Sequence, residues 1–299
     1  MKKNVKIFLV TAFVLSTFAS TCVALSQASS SQPSQQPPPL SVQQVKGNIY
    51  EVKGGSGANA GFFIGDKEVL VVDAKMTPES AKEMLAQINR LTSNPIVYVA
   101  LTHSDGDHVN GLTGFPNSIR IIAHQETRKY MEEAFQEPAQ IAFLPQITFS
   151  QELDLYSGKE KIRFLYFGPA HTSGDAVIYF PEEKVAFVGD LLFLGRDPLI
   201  HRNKNGNSFG VVKNLKAILE LDVDTFVHGH GDLAGRSDVE DLIKSIEEKQ
   251  QKIKSLISEG KSLEEIKSIF KVEERPAQPG KPRWMSLVEV IYLELTEAK

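Results

Sequence analysis

The chain has 299 residues, of which 41% are hydrophobic and 23% charged, and its formal net charge is −4 at pH 7. This is an ordinary globular composition with enough length to bury a sizeable core in one large domain or two small ones. The slightly acidic balance comes with no basic stripe or nucleic-acid motif, so nucleic acid is excluded as the expected partner.

The beginning of the chain has the pattern of a secretory leader. Lys2, Lys3 and Lys6 precede an apolar run over residues 7–19, and small residues follow as far as Ala28. This order predicts a signal peptide over residues 1–28. The run falls short of the roughly 20 residues that cross a bilayer, so we expect no membrane span after cleavage and a secreted or periplasmic protein.

The only cysteine, Cys22, lies inside this leader. A lipid anchor at Cys22 is the alternative to cleavage, but Thr21 precedes the cysteine and Ala19 stands where leucine is favoured, which makes a poor lipobox. Once the leader is removed, the mature chain has no thiol. It therefore has no disulfide, no cysteine nucleophile and no cysteine metal ligand.

Residues 29–41 are rich in Ser, Gln and Pro and predict a disordered linker, followed by a folded domain over residues 42–235. Short apolar runs such as NIYEVK, AGFFIG and EVLVVDA predict strands, and Pro78 opens a predicted helix that continues to about Leu91. Further strands alternate with helices predicted from about Gln125 and over 208–220. Together these elements indicate a layered α/β protein.

The last part of the chain, residues 236–299, predicts helices that pack on this domain. Apolar residues recur at helical spacing after Ser237, Gly260 marks a stop, and Ser262 with Glu265 marks the start of another helix. Trp284 is at helical spacing with Leu287 and is interpreted as a core residue of this region, with a lid aromatic as the alternative.

Histidines and aspartates gather at the ends of the predicted strands. They occur in THSDGDHVNG (102–111), GPAHTSGD (168–175), VGD (188–190) and HGHG (228–231). In an α/β sheet such loops meet to form a site. Imidazole and carboxylate are ligands of borderline divalent metals, and this set is large enough for two adjacent ions.

These four motifs, in this order, resemble the metallo-β-lactamase superfamily, with THSDGDHVNG matching its H-x-H-x-D-H motif. The resemblance extends over about residues 44–232 and implies an αββα sandwich, here with a C-terminal helical extension. It implies two divalent metal ions, with zinc the expected metal and iron or manganese as alternatives.

Carried over residue by residue, the resemblance implies two ligand sets joined by one carboxylate. The first metal would be held by His103, Asp105 and His171, the second by Asp107, His108 and His230, with Asp190 bridging the two. Asp73 is expected to be a structural neighbour of the site. His228 is expected to support a ligand or to be purely structural.

Two aspartates mark where the chain departs from close relatives. Asp105 stands where most members have His, and it is either a ligand or a residue that only orders the loop. The zinc β-lactamases that the chain otherwise resembles carry Cys in place of Asp190, whereas a bridging Asp is typical of glyoxalase II, lactonase and phosphodiesterase-like members.

The expected function is a metal-dependent hydrolase of a small molecule. The substrate would be a cyclic amide, lactone or ester, with a β-lactam as the first candidate, attacked by a hydroxide that the metals supply while Asp107 orients it or moves its proton. The alternatives are an iron-dependent redox enzyme, of a sulfur-oxidising or diiron type, and a non-enzymatic periplasmic protein that handles a metal or cofactor.

Polar residues that follow Asp190 are interpreted as a solvated loop at the mouth of the site. They are Arg196, His201, Arg202 and Asn207.

Overall fold

Two β-sheets face each other in the computed structural model, which describes residues 37–273 and 284–297. The predicted signal peptide and most of the predicted linker lie outside the described residues. The first sheet has seven strands in chain order: β1 (Ser41–Lys46), β2 (Ile49–Lys53), β3 (Ala60–Ile64), β4 (Val69–Val72), β5 (Ile96–Ala100), β6 (Arg120–His124) and β7 (Ile147–Phe149).

Pairing in the first sheet changes direction at β4. Strands β1 to β4 are antiparallel neighbours, and β4 to β7 are parallel. Parallel neighbours need crossover connections. The helices in these connections are α1 (Pro78–Leu91), α2 (Gly106–Val109), α3 (Gln125–Ala134) and α4 (Pro138–Ile141), with a 3₁₀ turn over Asn110–Gly114.

Helix α1 begins where the sequence predicts it. The side chain of Thr77 accepts a hydrogen bond from the backbone N–H of Ser80, and Pro78 occupies the first turn. Both features favour helix initiation at this point. The buried residues Ala81, Met84 and Ile88 then lie on one face, against the first sheet.

The second sheet has five strands in the order β12-β11-β10-β9-β8. Only β11 and β12 are parallel, and helix α5 (Ser208–Leu219) connects them. The strands are β8 (Glu152–Ser157), β9 (Glu160–Leu165), β10 (Val177–Phe180), β11 (Val185–Gly189) and β12 (Thr225–His228).

Three apolar layers hold these elements together. One lies between the two sheets and includes Phe63, Phe164 and Ile178. A second lies between the first sheet and α1, and a third lies between the second sheet and its helices. The order helix, sheet, sheet, helix is the predicted αββα sandwich, which the structure confirms.

The C-terminal helices complete the outer layer on the second sheet. They are α6 (Arg236–Ser258), α7 (Leu263–Ile269) and α8 (Leu287–Thr296). Ile253 of α6 and Ile291 of α8 are fully buried in the same cluster as Val188 of β11 and Leu215 of α5. The boundary predicted at residue 236 is therefore not a break in the core, because one apolar cluster crosses it.

Residues 38–41, which belong to the predicted linker, contact the folded domain. Leu40 is buried, the carbonyl of Pro38 accepts a 2.6 Å hydrogen bond from Gly55, and Ser41 already belongs to β1. A Pro-rich composition prevents a segment from forming a core of its own, but a single leucine can still pack on an existing one. In the described parts of the chain, no helix is both long and apolar enough to cross a membrane.

Candidate metal centre

The site lies where strands of both sheets end. Asp73 follows β4, His103 follows β5, Asp190 follows β11, and His230 lies just after β12. The two pairs β4/β5 and β11/β12 are parallel, so the carboxyl ends within each pair lie on the same side of their sheet. This is the edge at which an α/β fold assembles residues from several loops.

Helix α2 adds two carboxylates and one imidazole to this edge. Asp105 precedes the first residue of the helix, and its carbonyl accepts a 2.9 Å hydrogen bond from the backbone N–H of His108. This tight turn places Asp105, Asp107 and His108 within four residues while directing their side chains to different partners.

Asp107, His108 and His230 form one group of potential ligands. His230 Nε2 lies 3.2 Å from Asp107 Oδ2, and His108 Nε2 lies 3.9 Å from the same oxygen. The three ligand atoms are all within 4.8 Å of one another, which is close enough for one ion to contact all three.

His103 and His171 form a second group, which includes Asp190. Their ring centroids are 4.8 Å apart, and with the Asp190 carboxylate they offer three ligand atoms within 4.8 Å of one another. Asp105 lies beside this group, since its Oδ2 lies 3.2 Å from His171 Nε2 and 3.8 Å from His103 Nε2.

All seven residues that the sequence singles out as metal ligands therefore lie within this one site. They are His103, Asp105, Asp107, His108, His171, Asp190 and His230.

Hydrogen bonds to the other ring nitrogens fix how the imidazoles are oriented. His108 Nδ1 donates to Asp73 Oδ2 at 2.7 Å, and His171 Nδ1 donates to the carbonyl of Leu199 at 2.7 Å. The Thr102 hydroxyl donates to Asp73 and accepts from His103 Nδ1 at 3.1 Å. In the neutral rings the Nε2 atom therefore carries the lone pair, which is the arrangement that metal-bound histidines require.

Several of these atoms are buried with no hydrogen-bond partner among the described residues. They include His103 Nε2, His108 Nε2 and Asp190 Oδ1. Buried polar atoms are nearly always paired, so each unpaired one needs an explanation. Cations held by the two ligand groups would supply that explanation, and the nitrogen and oxygen donors suit zinc, iron or manganese. The residues present thus fit the metals that the fold implies.

The pKa values of the buried carboxylates and imidazoles also favour a positive charge in this site. Burial opposes ionisation of Asp190, but the imidazoles of His108 and His230 outweigh burial and hold the pKa of this carboxyl well below its usual range. Burial likewise disfavours a charged His171, yet the Asp105 carboxylate raises the pKa of the imidazole to about 9. Without a cation the carboxylates draw protons onto the histidines, and a divalent ion would replace those protons.

Gly229 leaves room for this arrangement. A Cβ atom at this position would lie 2.1 Å from Asp190 Oδ1 and 2.9 Å from His108 Cε1. Contacts this short do not occur in proteins, so only glycine allows the HGHG loop to approach both side chains.

The structure corrects the interpretation of His201. The sequence predicts a solvated loop residue, but the His201 side chain is only 7% exposed and its Nε2 lies 2.7 Å from Asp105 Oδ2. Trp284, predicted as core, is 40% exposed instead, and its ring lies 4.8 Å from the His201 ring. No local pattern marks His201, because its burial depends on Trp284, more than eighty residues away in the sequence.

Other residues near the mouth have structural partners. His228 donates from Nε2 to the carbonyl of Asp232 at 2.8 Å and belongs to neither ligand group, as expected for a supporting residue. Asn207 is the N-cap of α5 and accepts from Gly210 N–H at 2.6 Å. Arg196 lies over the ring of Phe193, which in turn stacks on His230.

Comparison with known proteins agrees with this fold. The chain is 24% identical over 238 residues to a metallo-beta-lactamase type 2 of Elizabethkingia meningoseptica, a match covering 74% of this chain and 90% of that protein. It is 26% identical over 197 residues to 2,4-dinitroanisole O-demethylase subunit alpha of Nocardioides sp. (strain JS1661), covering 64% of this chain. The match spans only 58% of that subunit.

A solved structure of the DIM-1 metallo-beta-lactamase superposes with a TM-score of 0.61 at 19% identity, covering 71% of this chain and 99% of that one. This likeness supports the fold alone. The family profile described as the metallo-beta-lactamase superfamily matches residues 54–230, which is more than half of the sequence. The chain therefore belongs to the metallo-beta-lactamase superfamily.

Proposed function

We propose that this protein is a metal-dependent hydrolase of a small molecule with an amide, lactone or ester bond, and that a β-lactam is the first substrate class to test. The observation that carries the proposal is the position of Asp190 between the two histidine groups. Its Oδ1 lies 3.2 Å from His108 Nε2, and its Oδ2 lies 3.2 Å from His230 Nε2 and 4.0 Å from His171 Nε2. One carboxylate shared by two ligand groups suits a pair of adjacent cations.

The residues that would hold the metals are those predicted from the sequence. We assign His103, Asp105 and His171 to one ion and Asp107, His108 and His230 to the other, with Asp190 shared between them. When bound, two divalent ions polarise a substrate carbonyl and acidify water, and zinc is the metal that we propose. Iron or manganese would also accept this mixture of imidazole and carboxylate.

Substrate would enter on the side of Asp107 and His230. Their side chains are 23% and 33% exposed, whereas those of His108 and His171 are fully buried. Phe193 stacks on His230 with its ring plane 9° from that of the imidazole, which provides an apolar wall beside the opening.

We assign the proton transfer to Asp107. Contact with His230 and His108 outweighs the effect of burial and lowers the pKa of Asp107, so the carboxylate is ionised at neutral pH. A carboxylate at the open face can orient the attacking water, accept its proton and later donate it to the leaving group. This route needs no covalent intermediate with the protein.

The test combines metal content and turnover on one sample. Protein purified without added metal is analysed for its elements and then tested on a β-lactam, a lactone, an ester and, because of the demethylase relative, 2,4-dinitroanisole. We expect about two metal ions per chain and hydrolysis of at least one of the first three substrates.

His171→Ala and His230→Ala should each lower kcat/KM at least about 100-fold, while His124→Asn, a change at a buried histidine outside the ligand groups, should not. Hydrolysis that survives in both ligand variants would refute the assignment. Redox turnover by iron-loaded protein without hydrolysis would favour the iron enzyme, and metal binding without any turnover would favour a metal-handling protein.

We also propose that the protein is exported, on the pattern of residues 1–28 alone. Mass spectrometry of the protein recovered from the medium or periplasm is expected to give a mature chain that begins near Leu25 or Ser29. Recovery only of the chain beginning at Met1 would contradict export by cleavage.

A further inference from the structure

We propose that His201 is an additional ligand of the first metal, coordinating through Nε2 beside Asp105 and His171. This inference rests on the proposed metal centre and adds to it a residue from the loop between β11 and α5. If His201 is a ligand, its removal must weaken metal binding directly. A purely structural His201 would not have this effect.

The backbone holds His201 against the site. Its N–H donates to the carbonyl of His171 at 2.8 Å, and its own carbonyl accepts from Gly206 at 2.9 Å. These bonds bring the two rings to a centroid distance of 4.8 Å with planes 79° apart. Two edge-to-face imidazoles on adjacent, tied backbones can direct their Nε2 atoms to a common point.

The Nε2 atom of His201 is placed where it could bind a metal ion. It is buried and lies 2.7 Å from Asp105 Oδ2, yet no hydrogen bond of acceptable angle connects it to that oxygen or to any other acceptor among the described residues. The ligand atoms of Asp105, His171 and His201 all lie within 4.8 Å of one another. A cation among these three atoms would give His201 Nε2 the partner that it lacks.

Lys204 binds one carboxylate oxygen of Asp105 and leaves the other available to the metal. Its Nζ donates to Asp105 Oδ1 at 2.7 Å and to Ser104 Oγ at 3.0 Å. The lysine therefore occupies one carboxylate oxygen and leaves Oδ2 to face the two imidazoles. It also offsets the negative charge of Asp105, so the neutral nitrogen of His201 adds a donor without adding charge.

Trp284 closes the outer side of His201. Its indole makes an edge contact with the imidazole at a centroid distance of 4.8 Å. This contact restricts the ring to the orientation that faces Asp105, which reduces the entropy lost when an ion binds.

The experiment titrates Co²⁺ into demetallated full-length protein and follows the visible absorption of the bound ion. The parent should bind two Co²⁺ ions. His201→Ala and the larger His201→Gln should each bind one ion normally and the other at least about 100-fold more weakly, with a changed absorption band. His124→Asn, the matched control, should bind both ions as the parent does.

Circular dichroism of the metal-free variants checks that both His201 variants are folded. Parent-like affinity for both ions in His201→Ala and His201→Gln would overturn the inference while leaving the proposed hydrolase intact. If the parent binds two ions and the His201 variants lose one, but the parent hydrolyses nothing, the ligand assignment stands and the proposed function fails. A parent that binds no Co²⁺ would overturn both.

Discussion

Asp73 shows how a residue that is not itself a ligand controls one. Its two oxygens accept hydrogen bonds from His108 Nδ1 at 2.7 Å and from the backbone N–H and hydroxyl of Thr102 at 2.8 Å each. Through Thr102 it also sets the tautomer of His103. One carboxylate thus orients an imidazole of each ligand group.

We therefore predict that Asp73→Asn weakens metal binding by about 10- to 100-fold, because an amide has one acceptor oxygen and its NH₂ must face either His108 Nδ1–H or the backbone N–H of Thr102. Competition with a chromophoric chelator measures the affinity. Asp222→Asn, at an exposed carboxylate paired with Lys184, is the control and should bind as the parent does. Equal affinities in all three proteins would contradict the role given to Asp73.

Gly229→Ala tests the close approach of the HGHG loop. The added methyl group would displace Asp190 and His108, so we expect at least about tenfold weaker metal binding in a chain that still folds. At Gly235 the nearest atom to an added methyl group would be 3.7 Å away, so Gly235→Ala is a matched control. Metal titration that does not distinguish the two variants would show that the loop is free to move.

At the scale of single elements, helix α3 depends on an unusual cap. His124 is its N-cap, with Nδ1 accepting from the backbone N–H of Glu126 at 3.3 Å and Nε2 donating to the carbonyl of Ser150 at 3.1 Å. The ring also stacks on Tyr166 at 3.8 Å. Only the neutral imidazole can make both hydrogen bonds, since protonation would place a second donor at Nδ1.

Burial lowers the pKa of His124 from its ordinary value of 6.5. The unfolded chain therefore binds a proton before the folded chain does, and this residue's contribution to stability is present above pH 6.5 and is lost as the pH falls below it. Asn can still cap the helix but does not titrate. In metal-free protein, urea unfolding at pH 7.5 and 5.5 should therefore show a smaller loss of unfolding free energy for His124→Asn than for the parent, by at most about 1.4 kcal/mol, the linkage value for one proton over one pH unit. An identical loss in both proteins would show that the cap does not titrate.

Helix α8 is predicted to be part of the domain core. Ile291 is fully buried in the apolar cluster that also includes residues of the second sheet, so Ile291→Ala should lower the unfolding free energy by about 2–5 kcal/mol. Lys252→Ala, at an exposed position of α6, should change it by less than about 0.5 kcal/mol. A single urea transition is expected, and a separate early transition for α8 would indicate an appended element instead.

In the molecule as a whole, the site residues that could be predicted from the sequence are those that lie close to one another in the chain or directly after an apolar strand. His103, Asp105, Asp107 and His108 fall within six residues after a strand, and His171, Asp190 and His230 each follow an apolar run. The strand and helix periods placed these runs in a layered α/β fold. The pairing of β4 with β5 and of β11 with β12 was not predicted, because the order of strands in a sheet depends on contacts across the fold.

What could not be predicted depends on contacts between distant parts of the chain. The helical periods of α6 and α8 indicate helices, but they do not show that both share a core with the second sheet. Leu40 lies in a Pro-rich segment, and its burial could not be predicted because it depends on a surface formed by other parts of the chain. His201 lies in an irregular loop without periodicity, and its burial involves two distant contacts, the ring of Trp284 and the backbone bond to His171.

Anomalous diffraction would directly locate the two metal ions that we expect the cluster around Asp190 to bind. Crystals grown with zinc should give two anomalous peaks at the zinc edge. One is expected among Asp107, His108 and His230, the other among His103, Asp105, His171 and His201, with Asp190 between them. A crystal that is saturated with zinc but gives no peak at these residues, or peaks only elsewhere on the protein, would contradict the account.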